Sequence, residues 1–378
     1  MILEFGAKNF YSFKEGFEVN LRSNDKKLNQ NPFNVLAIKG ANASGKTNVF
    51  KLLEFIRSFA LSSFSDYKPE EKIFIDSYFD NNEPIEMFIV FLDEGVEYKY
   101  ELSLTKYEVL SEIFSRKQKR DTVIIKREQN KIETIDEFNE LKAIKLRNNV
   151  SMLSMALQYD DDSVQFLKKI FSSIVTNVNS LGRDEQLSNQ HQFASKIYND
   201  HNKYFEFVTK ILKNTDTGIE TIRILPREDK ETGETIYFPV FDFIINGEIK
   251  SLTYYDQSSG TKSLYLQLWR YKIALMLGDT LVLDEFDINL HPDLLPMLVD
   301  LFDNPEKNIN NAQLIFSTHN TEIMDRLGKY RVVLVNKEEN ESFLYRLDEI
   351  PSDLIRNDRP ISPVYNAGKI GGKPKLTL

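Results

Sequence analysis

The N-terminal part of the chain alternates between strand patterns and one helical pattern. Apolar residues cluster in 2–5 and alternate with polar residues in 17–21, which predicts two short strands. Residues 34–40, Asn-Val-Leu-Ala-Ile-Lys-Gly, form an apolar run that ends in glycine, as expected of a buried strand that enters a loop. From Thr47 onward, apolar residues recur at helical spacing, so a strand, a glycine loop and a helix follow one another.

The rest of the chain mixes strand and helix patterns. Residues 73–105 have strand character, 130–215 have a helical pattern without a sustained heptad, and 219–253 have strand character again. From 258 to about 347, helix and strand patterns alternate. The stretch 351–378 contains four prolines and three glycines and is loop-like.

Composition excludes several classes of protein. Of the 378 residues, 41% are hydrophobic and 28% are charged, which excludes a collagen-like or mostly disordered chain. No apolar run approaches the roughly 20 residues that cross a bilayer, and no secretory signal pattern opens the sequence. The absence of cysteine excludes disulfides, thiolate metal sites and cysteine nucleophiles. We therefore expect a cytoplasmic protein with no membrane partner.

The glycine loop matches the phosphate-binding pattern G-x-x-x-x-G-K-[ST] at every fixed position over residues 40–47. Its glycines allow the backbone N–H groups to point at a β-phosphate, and Lys46 can reach the β- and γ-oxygens. Thr47 places a hydroxyl on a magnesium ion. The loop therefore predicts ATP and Mg²⁺ as cofactors. The predicted nucleotide-binding residues of the loop are Gly40, Asn42, Ala43, Ser44, Gly45, Lys46 and Thr47.

Two later strand patterns end in polar side chains. The apolar run 281–283 ends in Asp284 and Glu285, where a P-loop enzyme holds magnesium and polarises an attacking water. Such acidic pairs are common at strand ends, and the P-loop is what favours the functional interpretation. The next apolar strand ends near His319, which lies 34 residues beyond Glu285 and could contact a γ-phosphate. A lone histidine is more often structural.

A fourth segment, 257–262, reads Gln-Ser-Ser-Gly-Thr-Lys and precedes a long apolar stretch. A Ser-Gly turn that opens a helix can bind phosphate, but by itself it is more often an ordinary serine N-cap. The order of the motifs along the chain favours the phosphate-binding interpretation of this segment over the N-cap. The motifs follow one another in the order P-loop, 257–262, Asp284-Glu285 and His319. This is the order of Walker A, signature, Walker B and switch histidine in an ABC-type ATPase head.

The motifs carry a resemblance to a known family. The loop GANASGKTN, with Asn42 and Asn48, resembles the SMC, RecF and OLD branch of ABC-type ATPases. The segments SSGTK, DEFDINLHPDLL and FSTHN are similar to those of small bacterial ATPases in abortive infection and anti-phage defence, the RloA- and AbiL-like group. The tail pattern that runs from Tyr365 to Pro374 is also similar to that group.

The resemblance implies a role for each motif residue. Thr47 and Asp284 would hold magnesium, and Glu285 would be the catalytic base. Lys46 and His319 would complete the catalytic set. Ser258 and Gly260 would bind nucleotide in the site of an opposite protomer, and Asp287 would contact that protomer. The signature departs from the family pattern at Ser259 and Thr261, and the position of a Q-loop glutamine stays open between Glu112 and Gln118.

The implied fold is a mixed α/β ABC-type P-loop ATPase head with a central, mainly parallel sheet. An antiparallel β-subdomain would come from the N-terminal strands and 73–127. The expected domains are 1–129 (lobe I with Walker A and the β-subdomain), 130–215 (helical insert) and 216–378 (lobe II with signature, Walker B, switch histidine and tail).

The functional hypothesis is a Mg²⁺-dependent ATPase that dimerises, or forms a higher homo-oligomer, around ATP. It would regulate a separately encoded effector in anti-phage defence, such as an RloB-like or Toprim-related nuclease. Only 59 residues follow His319, and they hold no convincing acidic set for a nuclease. The basic tail, 351–378, would dock the effector or fold back on the core.

Two other functions are open at this point. The first is a RecF-like DNA-repair ATPase that binds DNA directly. The net charge of −9 argues against it, whereas the basic run 116–127, with a net charge of +5, keeps it open. The second is a non-hydrolysing, nucleotide-gated scaffold, against which the intact Glu285 argues.

Overall fold

The computed structural model of the chain describes residues 1–23, 31–118, 120–129, 131–143, 145–158, 162–183, 190–215, 218–229, 233–351, 354–356 and 359–373. The chain divides into two compact units. The first contains Met1–Arg183, Gly278–Phe286 and Asn311–Leu378, and the second contains Asp184–Leu277 and Asp287–Asn310.

The described residues form eighteen strands and nine α-helices. The strands are β1 (Ile2–Lys8), β2 (Phe17–Asn20), β3 (Val35–Gly40), β4 (Ile85–Asp93), β5 (Val96–Leu104), β6 (Val109–Lys117), β7 (Asp121–Glu128), β8 (Lys131–Thr134), β9 (Ile174–Thr176), β10 (Val178–Asn179), β11 (Gly182–Arg183), β12 (Thr221–Glu228), β13 (Thr235–Ile245), β14 (Glu248–Thr253), β15 (Thr280–Leu283), β16 (Gln313–Ser317), β17 (Val332–Glu338) and β18 (Glu341–Arg346). The helices are α1 (Lys46–Asp66), α2 (Met152–Ala156), α3 (Asp162–Ser172), α4 (Gln190–Asp200), α5 (Asn202–Asn214), α6 (Ser259–Leu277), α7 (Leu294–Asp303), α8 (Glu322–Leu327) and α9 (Ser362–Asn366).

The central sheet of the first unit confirms the predicted parallel sheet. Its strand order is β18-β17-β3-β16-β15-β9, and all neighbours are parallel except the edge strand β18. Every residue of β3, β15 and β16 is buried, as expected of strands covered on both faces. The carboxyl ends of parallel strands meet at one edge of a sheet. The segments that follow β3, β15 and β16 therefore lie at the same edge.

The antiparallel β-subdomain is a seven-stranded sheet in the order β2-β1-β4-β5-β6-β7-β8. Helix α1 buries an apolar stripe that includes Val49, Leu53 and Ile56. One continuous core joins these side chains to residues of both large sheets. The helix that follows the P-loop is thus held by the hydrophobic core of the whole first unit.

The described residues of the region 130–215, whose pattern is helical, form helices α2 to α5 but also strands β8 to β11, of which β9 belongs to the central sheet. Strand β9 pairs in parallel with β15, with Ile174 opposite Thr280. Its three residues are all β-branched, which favours a strand, but three positions are too few to show any period. The region 130–215 is also shared between the two compact units, because the first segment of the first unit ends at Arg183 and the second unit begins at Asp184.

A buried ion pair lies in the antiparallel sheet. Arg127 on β7 is fully buried, and its Nη1 is 3.7 Å from Oε2 of Glu112 on β6. Arg127 also donates hydrogen bonds to the carbonyl oxygens of Val150 (2.7 Å) and Arg147 (2.8 Å). Glu112 accepts hydrogen bonds from the hydroxyl of Tyr100 and from the first backbone N–H of α2. Burial raises the pKa of Tyr100 and lowers that of Arg127.

In the second unit, α4 packs on the antiparallel sheet β12-β13-β14 and on α6. The hydroxyl of Tyr198 on α4 donates to the carbonyl of Tyr265 on α6 (2.7 Å) and accepts from the N–H of Trp269 (3.1 Å). These contacts fix the helix that follows the predicted signature. Over the part of the chain that the structure describes, no helix combines the length and the apolar character needed to span a membrane.

The described part of the C-terminal tail folds back on the first unit. Asp325 Oδ1 accepts hydrogen bonds from the N–H groups of Ile361 (2.5 Å) and Ser362 (2.8 Å). Tyr345 donates to the carbonyl of Ile370 (2.7 Å). Gly371 has a φ of +71°, and a Cβ there would lie 2.5 Å from the Tyr345 hydroxyl. Gly371 thus serves this docking onto the core, whereas Pro374 lies outside the described residues.

Candidate functional site

The phosphate-binding loop connects the buried strand β3 to helix α1. Gly45 adopts a φ of +111°, a left-handed conformation that glycine tolerates best. A Cβ at Gly40 would lie 2.4 Å from the Val335 carbonyl oxygen. Both fixed glycines are therefore required by backbone conformation and close packing, in agreement with the motif.

The polar groups of the loop suit a phosphate ligand. Lys46 Nζ donates to the carbonyl oxygens of Gly40 (3.0 Å) and Ala41 (2.9 Å), so its charge lies inside the loop. The buried Ser44 hydroxyl finds no hydrogen-bond partner among the described residues. The positive end of the 21-residue helix α1 also opens at this loop. Ala43 has a positive φ of 60°, and Asn42 is exposed at the rim.

Two hydroxyl-bearing residues outside the motif support the loop. Asn48 Nδ2 donates to Ser12 Oγ (2.9 Å), which follows β1. Ser342 Oγ, on β18, lies within hydrogen-bond distance of Ser12 Oγ (2.7 Å) and of the Ser44 carbonyl oxygen (2.7 Å). The sequence gives no motif for this support, because the three segments are far apart along the chain.

Thr47 and Asp284, which are 237 positions apart, lie in direct contact. Thr47 Oγ1 donates to Asp284 Oδ2 at 2.6 Å. Asp284 is buried, and its Oδ1 accepts from Ser317 Oγ at 2.5 Å. The Asn177 amide brackets the Asp284 backbone, accepting from its N–H (2.8 Å) and donating to its carbonyl (3.0 Å). The carboxylate is thus fixed by side chains of α1 and β16, and its backbone is fixed by the residue that follows β9.

A hydroxyl and a carboxylate in contact fit a magnesium ion. Mg²⁺ prefers oxygen ligands and usually keeps waters and substrate phosphates as the remainder of its six ligands. Among the described residues, no group of three or more His, Asp and Glu side chains forms a complete metal site. Thr47 and Asp284 are therefore the residues that would hold Mg²⁺ beside the nucleotide phosphates.

Glu285 stands next to this pair in an unusual backbone conformation. Its φ is +50°, and its N–H donates to Ser317 Oγ (2.7 Å) and to Asp284 Oδ1 (3.1 Å). Its side chain is 42% exposed, and Oε2 is 3.2 Å from Nη1 of Arg183. Sequence reasoning missed Arg183, because a Gly-Arg dipeptide on a two-residue strand belongs to no motif.

His319 lies at the same edge of the sheet, two residues beyond β16. It is exposed, and its carbonyl oxygen accepts a hydrogen bond from the buried Lys39 Nζ at 2.6 Å. Lys39 immediately precedes the P-loop and lies 5.0 Å from the ring centre of Tyr365 in the tail. Lys39, on the P-loop strand, thus contacts both the tail and the segment that contains His319.

Neither predicted position for a Q-loop glutamine belongs to this edge. Glu112 lies in the buried ion pair with Arg127, and Gln118 follows the end of β6 in the antiparallel sheet. The edge strand beside β15 is β9, and the polar residue that follows it is Asn177. The sequence marks β9 and Asn177 only by three β-branched residues followed by asparagine, and this run is too short to be recognised as a strand from its pattern.

The predicted signature residues lie in the second unit. Ser258 Oγ accepts a hydrogen bond from the N–H of Thr261 (3.1 Å), which is the geometry of an N-cap for α6. A Cβ at Gly260 would lie 2.9 Å from the Asn289 carbonyl oxygen. Asp287 belongs to the same unit. Ser258 therefore acts as an N-cap of α6, and a role of Ser258 and Gly260 toward a second protomer stays a prediction.

One model of a protein family matches most of the chain. The family model AAA_21, described as "AAA domain, putative AbiEii toxin, Type IV TA system", matches residues 35–325. The chain belongs to the AAA_21 family. None of the curated proteins matches it.

One solved structure supports the fold of this AAA_21 chain. An SMC head bound to the C-terminal winged-helix domain of ScpA aligns with a TM-score of 0.51 and 15% identity, covering 91% of this chain and 97% of the other. The SMC head domain from Thermotoga maritima aligns with a TM-score of 0.45 and 15% identity, covering 91% and 98%. The AAA_21 match supports the predicted resemblance to P-loop ATPases, and the alignment with a TM-score of 0.51 confirms the predicted fold class.

Proposed function

We propose that the AAA_21 chain is a Mg²⁺-dependent ATP hydrolase of the ABC type. The contact between Thr47 Oγ1 and Asp284 Oδ2 at 2.6 Å carries this proposal, because it joins the P-loop to the acidic strand end. Glu285 is the next residue, and its exposed carboxylate leaves room for a water molecule beside it.

Each side chain of the site has a chemical task in this proposal. The α1 N-terminus and Lys46 bind the phosphates and favour negative charge on them. Thr47 and Asp284 would hold Mg²⁺, which would supply positive charge to stabilise the charge that develops on the phosphate oxygens. Glu285 accepts a proton from the water that attacks the γ-phosphorus, and the bond to the β-γ bridging oxygen breaks to leave ADP. His319 would contact the γ-phosphate.

Phosphate release from ATP by the purified protein tests this proposal. We expect release in the presence of Mg²⁺ and its loss in excess EDTA, with nucleotide binding followed separately by fluorescence of a labelled ATP. Binding of the nucleotide without any Mg²⁺-dependent release would instead favour the nucleotide-gated scaffold.

We further propose that ATP joins two protomers with two-fold symmetry. Ser258 and Gly260, at the start of α6, would serve the nucleotide of the opposite chain, as the order of motifs indicates. The likeness to SMC heads supports an ATPase head architecture for this arrangement.

The assembly prediction is tested by molar mass from light scattering. Wild type should gain mass with ATP, and Glu285→Gln should hold the larger species longer, because hydrolysis is what would release it. Ser258→Arg should weaken the association by placing bulk and charge at the proposed phosphate contact. Ser65→Arg, at an exposed serine near the end of α1, is the matched control. Hydrolysis by a strict monomer at all concentrations would contradict the proposal.

The output of the ATPase is proposed to be a separately encoded effector in cytoplasmic anti-phage defence, as in the RloA- and AbiL-like group. The family description, which names a toxin and a toxin–antitoxin system, supports a two-component arrangement. The described residues contain no acidic metal cluster of the kind a nuclease needs. An RloB-like or Toprim-related nuclease would supply the missing chemistry.

The effector prediction is tested with nucleic acids as substrates. The purified chain with Mg²⁺ should leave plasmid, single-stranded DNA and tRNA intact, and cleavage should appear after co-purification with proteins encoded beside it. A matched preparation of the partner alone separates its own activity from ATP-dependent control. Cleavage by the repurified chain that disappears in Asp284→Asn would defeat the two-component proposal.

The RecF-like alternative loses support at the basic run 116–127. Arg127 is buried in the ion pair with Glu112. Lys126 Nζ is 2.8 Å from a carboxylate oxygen of Glu128, and Arg116 is 3.8 Å from one of Glu137. Three of the six basic groups of the run thus face acidic side chains, which weakens the run as a phosphate-binding surface.

A further inference from the structure

Arg183 contacts the carboxylate that the proposed reaction depends on. Its Nη1 is 3.2 Å from Glu285 Oε2, and the two side chains are 31% and 42% exposed. An exposed ion pair adds little to stability in general. The location of this pair, rather than its strength, is therefore what requires an explanation.

The backbone of Glu285 is fixed, whereas its carboxylate projects toward solvent. Ser317 Oγ and Asp284 Oδ1 hold the N–H of Glu285, and the residue has a φ of +50°. A half-exposed glutamate has several rotamers of similar energy. A contact at the carboxylate itself is thus the means of selecting one of them.

Arg183 stands on a hairpin that is built against the P-loop helix. Strands β10 and β11 pair Val178 with Arg183, and Val178 is buried in the core of the first unit. Asn179 Oδ1 accepts from the N–H groups of Leu181 (2.9 Å) and Gly182 (3.2 Å), which fixes the turn. A Cβ on Gly182 would lie 4.0 Å from Thr47 Cγ2. The hairpin therefore holds Arg183 beside the predicted magnesium ligand.

We propose that Arg183 is a positioning residue that holds the Glu285 carboxylate in the orientation needed to take a proton from the attacking water. This inference rests on the proposed ATPase function. A planar guanidinium restricts a carboxylate more than an ammonium does, because its N–H donors form a rigid fork. Arg183 acts through Glu285 and needs no contact with the nucleotide.

Steady-state kinetics of Arg183→Ala provide the test. We expect kcat to fall about 10- to 100-fold, because misplacing a catalytic group by about 1 Å can cost that much. The KM for ATP and the dissociation constant of a fluorescent ATP analogue should stay within about twofold of wild type, since binding belongs to the P-loop. Arg183→Lys should recover part of kcat.

A double variant separates positioning from a structural role. Arg183→Ala added to Glu285→Gln should slow hydrolysis no further, because the group that Arg183 positions is already gone. Arg22→Ala is the matched control, since Arg22, just beyond β2, pairs with Glu97 on β5 at 3.1 Å with similar exposure in the same unit. It should leave kcat and KM unchanged, and thermal melting should show that all variants are folded.

The outcomes separate the two proposals. A wild-type protein that binds ATP without hydrolysing it removes both the ATPase function and the role of Arg183. Wild-type hydrolysis with an unchanged kcat in folded Arg183→Ala removes the positioning role alone. A higher kcat would overturn it in favour of a restraint on Glu285, and weakened ATP binding would overturn it in favour of a direct phosphate contact.

Discussion

Glu285→Gln is expected to bind ATP as wild type does and to hydrolyse it about 10²- to 10⁴-fold more slowly, the range that general base catalysis supplies. Glutamine keeps the size of the side chain but cannot accept the proton of the attacking water. Single-turnover hydrolysis and binding of a fluorescent ATP analogue measure the two properties separately. Equal turnover in wild type and Glu285→Gln would remove Glu285 from the mechanism.

Lys46→Ala is the comparison variant that distinguishes a loss of nucleotide binding from a loss of catalysis. Lys46 is the cation inside the loop, 2.9 to 3.0 Å from two loop carbonyls. Its removal should abolish nucleotide binding, so that hydrolysis is lost for a different reason. Loss of binding in both variants would indicate that Glu285 supports the loop and not the reaction.

Arg127→Met should lower the free energy of unfolding of the first unit by about 3–5 kcal/mol, the typical cost of breaking a buried ion pair. Methionine leaves Glu112 buried without its cation and leaves the Val150 and Arg147 carbonyls without their donors. Urea unfolding followed by circular dichroism measures the change through the midpoint and the slope.

The neighbouring lysine provides the control for this variant. Lys126 lies on the same strand and pairs with Glu128 at the surface, so Lys126→Met should barely move the midpoint. Arg127→Met combined with Glu112→Leu should lose less than Arg127→Met alone loses, because no buried charge is then unpaired. Equal midpoints for Arg127→Met and Lys126→Met would contradict the assigned role of the pair.

Residues 40–47 could be recognised from the sequence by their local context, whereas Asp284, Glu285 and His319 could be recognised only together with this loop and the order of the motifs. A glycine loop between a buried strand and a helix, and acidic residues at the end of an apolar strand, are read over fewer than ten positions. The order of these motifs then indicates the ABC-type head. The structure brings all of them to one edge of the central sheet.

Other features had no local signal. Strand β9 was hidden in a helical region because three residues cannot show a period, and Asn177 and Arg183 were hidden with it. From the sequence, Glu112 was one of two open Q-loop positions and Arg127 was part of a basic run, since nothing in their neighbourhood indicates that each meets the other inside a core.

The sequence by itself determined which chemistry is proposed for this protein, because the P-loop and the strand-end carboxylates are defined by residue type and short spacing. The tertiary structure alone decided what orients that chemistry. Asn177 braces Asp284 across 107 positions, and Arg183 reaches Glu285 across about 100. Such contacts form only when distant strands pair and a common core is buried, and burial depends on the whole fold and not on any one segment of the chain.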